Sequence, residues 1–303
     1  MTGILEVLTQ NILPIFLVAG LGFWLRRSLK LDTKVLSSVV FTAFSPCLVF
    51  SSLVNTRLPA GELLQMSLFS LLAILAMGVV AFVTSRLLRL SRMSTVVLLM
   101  TVMFVNGGNY GLTLNQLRYG DEGLSRSIVY FVVSTVLVYT VGVFIASAGR
   151  SDWRESLRRL LRVPAVYAVA AALLVYFAGI SVPSPLMKGV EVAAAGAVPA
   201  MLIVLGMQMA NLENLSALRF SSLASFLRLV IGPLVALLVA NLVGLQGLNR
   251  ATSIIEASMP TAVITTVLAT EFDVDPPLVT SIVVLSTLLS PITLAATIQL
   301  MGL

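Results

Sequence analysis

Two polar clusters interrupt apolar sequence in this chain, and both hold residue types that can bind ions. The first is Asn106-Gly107-Gly108-Asn109-Tyr110-Gly111; the second is Glu256 followed by Ser258-Met259-Pro260-Thr261. Asn106 and Asn109 each offer amide N–H donors and a carbonyl acceptor. The glycines let backbone approach a ligand closely. A helix restarting near Leu112 aims its N-terminal amides and partial positive charge at this point, which suits a carboxylate. Asn106 is therefore the leading carboxylate donor, with Gly107, Gly108, Asn109 and Tyr110 beside it. In the second cluster Pro260 has no backbone N–H, so a carbonyl near Glu256 is expected to be freed. Met259, Pro260 and the Thr261 hydroxyl complete that side of the substrate site. An ionisable residue such as Glu256 inside an apolar span is costly and marks function by default. Glu256, with freed carbonyls and Asn109, forms a candidate hard-oxygen site for Na⁺, the preferred reading, or Glu256 carries a proton.

These residues need elements that hold them, and composition says which. Hydrophobic residues make up 58% and charged residues 11%, with a mean hydropathy of +1.03. A soluble domain carries about 25% charged residues. Windows of about 20 apolar residues recur, enough for a helix to cross a ~30 Å hydrocarbon core. The runs are too long and too evenly apolar for a transmembrane barrel. The expected fold is an all-α polytopic membrane protein. Ten spans are placed at 4–25, 34–54, 62–85, 94–119, 125–148, 163–180, 186–210, 220–244, 250–272 and 277–301.

The connections sort by charge. Arg26, Arg27, Lys30, Lys34, Arg86, Arg89, Arg92, Arg150, Arg154, Arg158, Arg159, Arg162 and Arg219 fall on one side; Arg57, Arg118, Arg126, Lys188 and Arg250 fall on the other. The basic-rich side is cytoplasmic by the positive-inside rule, which puts both termini outside the cell (inner) membrane. The basic excess thus flanks membrane spans, and nucleic acid is not an expected partner. No basic region precedes the first apolar run, so no cleaved signal peptide is expected.

The halves also echo each other. Pro14 has a counterpart in Pro164 and Pro46 in Pro199; Pro46 precedes Asn106 by 60 residues and Pro199 precedes Pro260 by 61. Five spans per half is odd, so the second copy inserts inverted. The expected organisation is a first repeat at 1–148, a cytoplasmic linker at 149–162 and an inverted second repeat at 163–303. The interrupted fourth and ninth helices then cross near the membrane centre, the sequence signature of a transporter's binding site.

Asn106-Gly-Gly-Asn-Tyr-Gly-Leu-Thr-Leu-Asn115, Pro199-Ala-Met-Leu-Ile-Val-Leu-Gly206 and Met259-Pro-Thr-Ala-Val-Ile-Thr-Thr-Val-Leu-Ala269 resemble three signatures of the auxin efflux carrier family. The resemblance covers essentially the whole chain. It implies ten helices, crossed fourth and ninth helices, elevator-like movement of one domain against a scaffold, and distant kinship with bile acid–sodium symporters. Glu256, four residues before Pro260, resembles the sodium-binding glutamate of those symporters. Bacterial members are often described as malate or malonate permeases. Plant members carry a proline where this chain has Val105, and long cytoplasmic loops that it lacks.

Weaker candidates follow. Ser45, Ser51 and Ser52 in the second span, and Ser134, Thr135 and Tyr139 in the fifth, are candidate polar walls, with Ser51 and Ser134 placed in the substrate site. Arg228 in the eighth span either faces a carboxylate or snorkels to the cytoplasmic surface, and snorkelling is the preferred reading. Glu191 and Lys188 are expected at the interface. Cys47 is the only cysteine and there is no histidine. With no histidine, no Gly-x-Ser-x-Gly and no intramembrane Asp pair, an intramembrane enzyme is not expected. A channel is disfavoured because no filter motif repeats. The expected function is secondary transport of a small organic anion, a carboxylate or auxin-like acid. No cofactor is expected beyond Na⁺ as a coupling ion, and a homodimer is compatible with this reading.

Overall fold

Long apolar stretches bounded by proline, glycine and charge fold here as helices, which alone satisfy their own backbone without water. The computed structural model describes residues 2–55, 58–147, 161–210 and 217–303. In chain order the helices are α1 (Gly3–Leu29), α2 (Thr33–Asn55), α3 (Ala60–Leu87), α4 (Arg92–Met103), α5 (Gly107–Ala146), α6 (Pro164–Ala178), α7 (Ser184–Met209), α8 (Leu218–Val243), α9 (Gly247–Ala257), α10 (Ile264–Phe272) and α11 (Pro276–Met301). Seven of them, α1, α2, α3, α5, α7, α8 and α11, are long and apolar enough to cross a membrane. Most of the 149–162 linker, with Arg150, Arg154, Arg158 and Arg159, lies outside the described residues, as does Arg57.

Local chemistry sets the ends. The Asp32 carboxylate accepts the Lys34 amide N–H at 2.9 Å to open α2, and Ser91 Oγ accepts the Ser94 N–H at 3.1 Å to open α4. Such caps satisfy amides that have no intrahelical partner. Pro276 and Pro277 begin α11 behind the Asp275 cap, where a missing N–H costs nothing. Within α5, Gly120 takes φ 65° and ψ −156°, a backbone turn that a side chain would strain.

The segment expected at 94–119 is built from α4, a break and the first part of α5. The segment expected at 250–272 is built from α9, a break and α10. Among the described residues the isolated bridge is antiparallel and joins those two breaks, Val105 to Thr261.

Two buried apolar clusters surround them. The larger gathers residues such as Phe69, Met100, Phe104, Ile254 and Ile282 from α3, α4, the first break, α9 and α11. The smaller joins Val49 of α2, Leu112 and Ile128 of α5, and Ala197 and Met201 of α7. A cavity of about 830 Å³ opens among α2, α5 and α7.

Candidate functional site

The first break begins where α4 ends at Met103 and the chain becomes extended at Phe104. Asn106 follows with φ −77° and ψ 59°, and a π-helical turn over Gly107–Gly111 leads back into regular helix at Leu112. Extended backbone here needs hydrogen-bond partners, and the second break supplies them. The Asn106 N–H donates to the Pro260 carbonyl at 2.8 Å, and the Ala262 N–H donates to the Phe104 carbonyl at 2.9 Å. The two unwound segments thus satisfy one another, as buried backbone in a membrane must.

Polar side chains converge on this join. Glu256 is fully buried, and its carboxylate rests on the glycine turn. A Cβ on Gly107 would lie 2.7 Å from Glu256 Oε2, and one on Gly111 would collide with the same carboxylate. Only glycine admits the carboxylate so close to backbone. Asn115 Nδ2 donates to Glu256 Oε1 at 3.3 Å and to the Gly111 carbonyl at 3.2 Å. Asn106 Nδ2 and Glu256 Oε2 are buried and find no hydrogen-bond partner among the described residues. Such groups are rare in folded proteins and ask for an explanation.

The expected site residues do not all gather here. Asn106, Gly107, Pro260 and Thr261 meet at the join. Met259 is buried there, and its N–H donates to the Glu256 carbonyl at 3.2 Å. That carbonyl was expected to be freed by Pro260; a tighter turn takes it instead. The Thr261 hydroxyl is likewise taken, donating to the Thr101 carbonyl at 2.8 Å, while its N–H donates to Ser286 Oγ at 3.2 Å. Gly108 faces Phe131, and Tyr110 packs edge-on against Phe16 of α1 with ring centroids 6.0 Å apart. Asn109 is half-buried, its carbonyl accepting the Thr113 hydroxyl at 3.3 Å. Ser51 lines the cavity, with its hydroxyl on the Leu48 carbonyl at 3.2 Å. Ser134 is buried within α5, its carbonyl accepting the Val138 N–H.

Arg228 corrects the snorkelling reading. It is buried and donates inward, to the carbonyls of Val102 and Ala257. Asn115 was not singled out, although it stands four residues after Gly111 and so on the same helical face. The cavity wall also carries Asn55, Gln116, Asp121, Glu122, Arg126 and Glu191. Arg126 pairs with Glu122 at 3.4 Å and donates to Asn249 Oδ1 at 2.7 Å. Among the described residues no cluster of three or more His, Cys, Asp or Glu could hold a metal ion.

Apolar helices joined through two unwound, mutually bonded segments around buried polar groups define a membrane protein of the transport class. The chain belongs to the family described as membrane transport protein, whose pattern matches residues 7–155 and 150–298. It is 28% identical over 295 residues to an uncharacterized transporter of Methanothermobacter thermautotrophicus, covering 94% of this chain and 96% of that one. It is 22% identical over 269 residues to an uncharacterized transporter of Methanocaldococcus jannaschii, covering 86% and 87%. Auxin efflux carrier component 1 of Arabidopsis thaliana is 28% identical over 145 residues, which is 47% of this chain and 23% of that protein.

Proposed function

We propose that the protein is a secondary transporter of a small organic anion, a carboxylate or auxin-like acid, that binds where the two breaks meet. One observation carries this reading: Asn106 is fixed by its backbone to Pro260 while its side-chain amide is buried with no partner among the described residues. Leaving a buried donor unpaired costs about 1–3 kcal/mol. A ligand carboxylate arriving at the start of the Gly107–Leu112 turn would take that donor and gain from the helix's positive end.

The same reading takes ten spans in two inverted repeats with crossed broken helices. Helices α9 and α10 have 11 and 9 residues, each short of the ~20 needed to cross, so they serve as halves of one span. Helix α5 has 40 residues, about 60 Å at 1.5 Å per residue and twice the hydrocarbon thickness, so the chain reverses at Gly120. The two family matches meet near 150–155, at the linker between the expected repeats. The reading also takes an elevator movement of one domain against a scaffold, with the cavity among α2, α5 and α7 as open space for it.

For the coupling ion, Glu256 Oε2 and Asn115 Oδ1 are the side-chain oxygens around Glu256 left without a hydrogen-bond partner among the described residues. The Glu256 carbonyl accepts from Met259 and the Thr261 hydroxyl donates to Thr101, and each of these oxygens keeps a lone pair. A Na⁺ site needs six or so convergent oxygens, as hard cations generally do. These oxygens fall short of that number, so the reading takes a proton on Glu256 rather than the Na⁺ expected from the sequence.

A thermal-shift screen of the purified protein tests the substrate class, using malate, malonate and indole-3-acetate with and without Na⁺. A saturable rise in Tm with at least one acid, independent of Na⁺, is expected. No shift with any small acid, or shifts only with cations, would count against the reading.

A further inference from the structure

Among the described residues Arg228 is the largest side chain sealed inside the protein, with 1% of its surface exposed. A π-helical turn, Leu227–Ile231, carries it within α8. Such turns insert an extra residue and re-aim side chains, and they recur at functional sites. Its Nη1 donates to the Val102 carbonyl at 2.7 Å and its Nη2 donates to the Ala257 carbonyl. Val102 lies in the last turn of α4, and Ala257 is the last residue of α9. These are the C-terminal ends of the two helices that stop at the join.

The final carbonyls of a helix lack intrahelical donors. Each end carries a partial charge of about −0.5, so two ends sum to about one negative charge. One guanidinium supplies one positive charge and a planar fork of donors able to bond two acceptors at once. Among the described residues no carboxylate lies within ion-pair distance of it. Gly232 leaves the space, since a Cβ there would lie 3.0 Å from Arg228 Cζ and closer still to Nη2.

We propose that Arg228 is a positioning residue, a fixed counter-charge that ties the C-terminal ends of α4 and α9 together. It fills the role that a bound metal cation would otherwise fill between two such ends. The two half-helices and α8 are then held together as one unit, and the join needs no metal at its negative pole. With that pole neutralised, the positive N-terminal end at Gly107–Leu112 is left to Glu256 and to the ligand; only this last consequence rests on the proposed anion transport.

The test is thermal unfolding of purified variants in detergent with no substrate present, so that its outcome is separate from that of the transport reading. Arg228→Met keeps bulk and removes charge, and its Tm should fall on the order of 10 °C. Arg228→Lys keeps the charge but loses the fork, and its Tm should fall between those of the wild type and the Met variant. In Arg228→Ala, millimolar guanidinium chloride should restore part of the loss, while NaCl of equal ionic strength should not. Gly232→Ala, which crowds the guanidinium, should lower Tm in the wild-type background and add nothing in Arg228→Ala. Equal stability of the Met and Lys variants, or rescue by Na⁺ as good as by guanidinium, would overturn the proposal. Should the neutral variants fail to fold, a Lys variant as unstable as they are, or a Gly232→Ala protein with unchanged Tm, would do so as well.

Discussion

Asn106 has its backbone held by Pro260 and its side chain left over, so mutation can remove the second without disturbing the first. Asn106→Ala should weaken anion binding about 10- to 100-fold, the loss of a charge-assisted hydrogen bond of about 1.5–3 kcal/mol. Titration calorimetry would read this, with Tm unchanged or slightly raised because a buried orphan donor has gone. Glu256 sets the coupling prediction. Transport should vary with pH and not with Na⁺, and Glu256→Gln, which mimics the protonated state, should flatten the pH profile. A Na⁺ dependence that Glu256→Gln abolishes would restore the sodium reading. Asn106, Glu256 and Pro260 were legible because polar residues and proline are conspicuous in apolar sequence. That Thr261 gives its hydroxyl to Thr101 was not, because the partner lies 160 residues away. Arg228 misled for a related reason: a position near a helix end permits snorkelling, and the π turn that aims it inward leaves no mark in composition.

The breaks fall where glycine and proline stand, and the polar caps at Asp32, Ser91 and Asp275 open α2, α4 and α11. Most element ends were therefore readable to within a few residues, but the end expected at 119 and the start expected at 125 fall inside α5. Packing between elements was not readable. Helices α1 and α7 approach so closely that a Cβ on Gly206 would fall on the Ala19 carbonyl. Small residues at such crossings let membrane helices pack without a hydrophobic drive. The Pro199–Gly206 segment resembles a family signature, and this contact is a physical reason for the glycine at its end. Gly206→Val should destabilise the protein by about 1–3 kcal/mol through overpacking. Thermal unfolding in detergent would show it, and an unchanged Tm would mean that α1 and α7 are not held in this contact.

At the scale of the molecule, charge asymmetry and length place the chain in a bilayer, but of the cavity among α2, α5 and α7 only Ser51 and Ser52 were marked in the sequence as polar walls. Its wall draws on side chains from three distant segments, each ordinary on its own. Orientation is testable in intact cells on a Cys47→Ser background, where a cysteine at Lys188 should label with an impermeant maleimide and one at Ser151 should not. Strong labelling at Ser151 would reverse the proposed orientation. The central claim is that the join of the two breaks carries an organic anion by alternating access. Counterflow in proteoliposomes tests it most directly, using a radiolabelled acid chosen by its thermal shift. The account predicts saturable uptake that unlabelled acid inside accelerates and that Asn106→Ala slows at limiting substrate; uptake that rises linearly with concentration and ignores internal acid would contradict it.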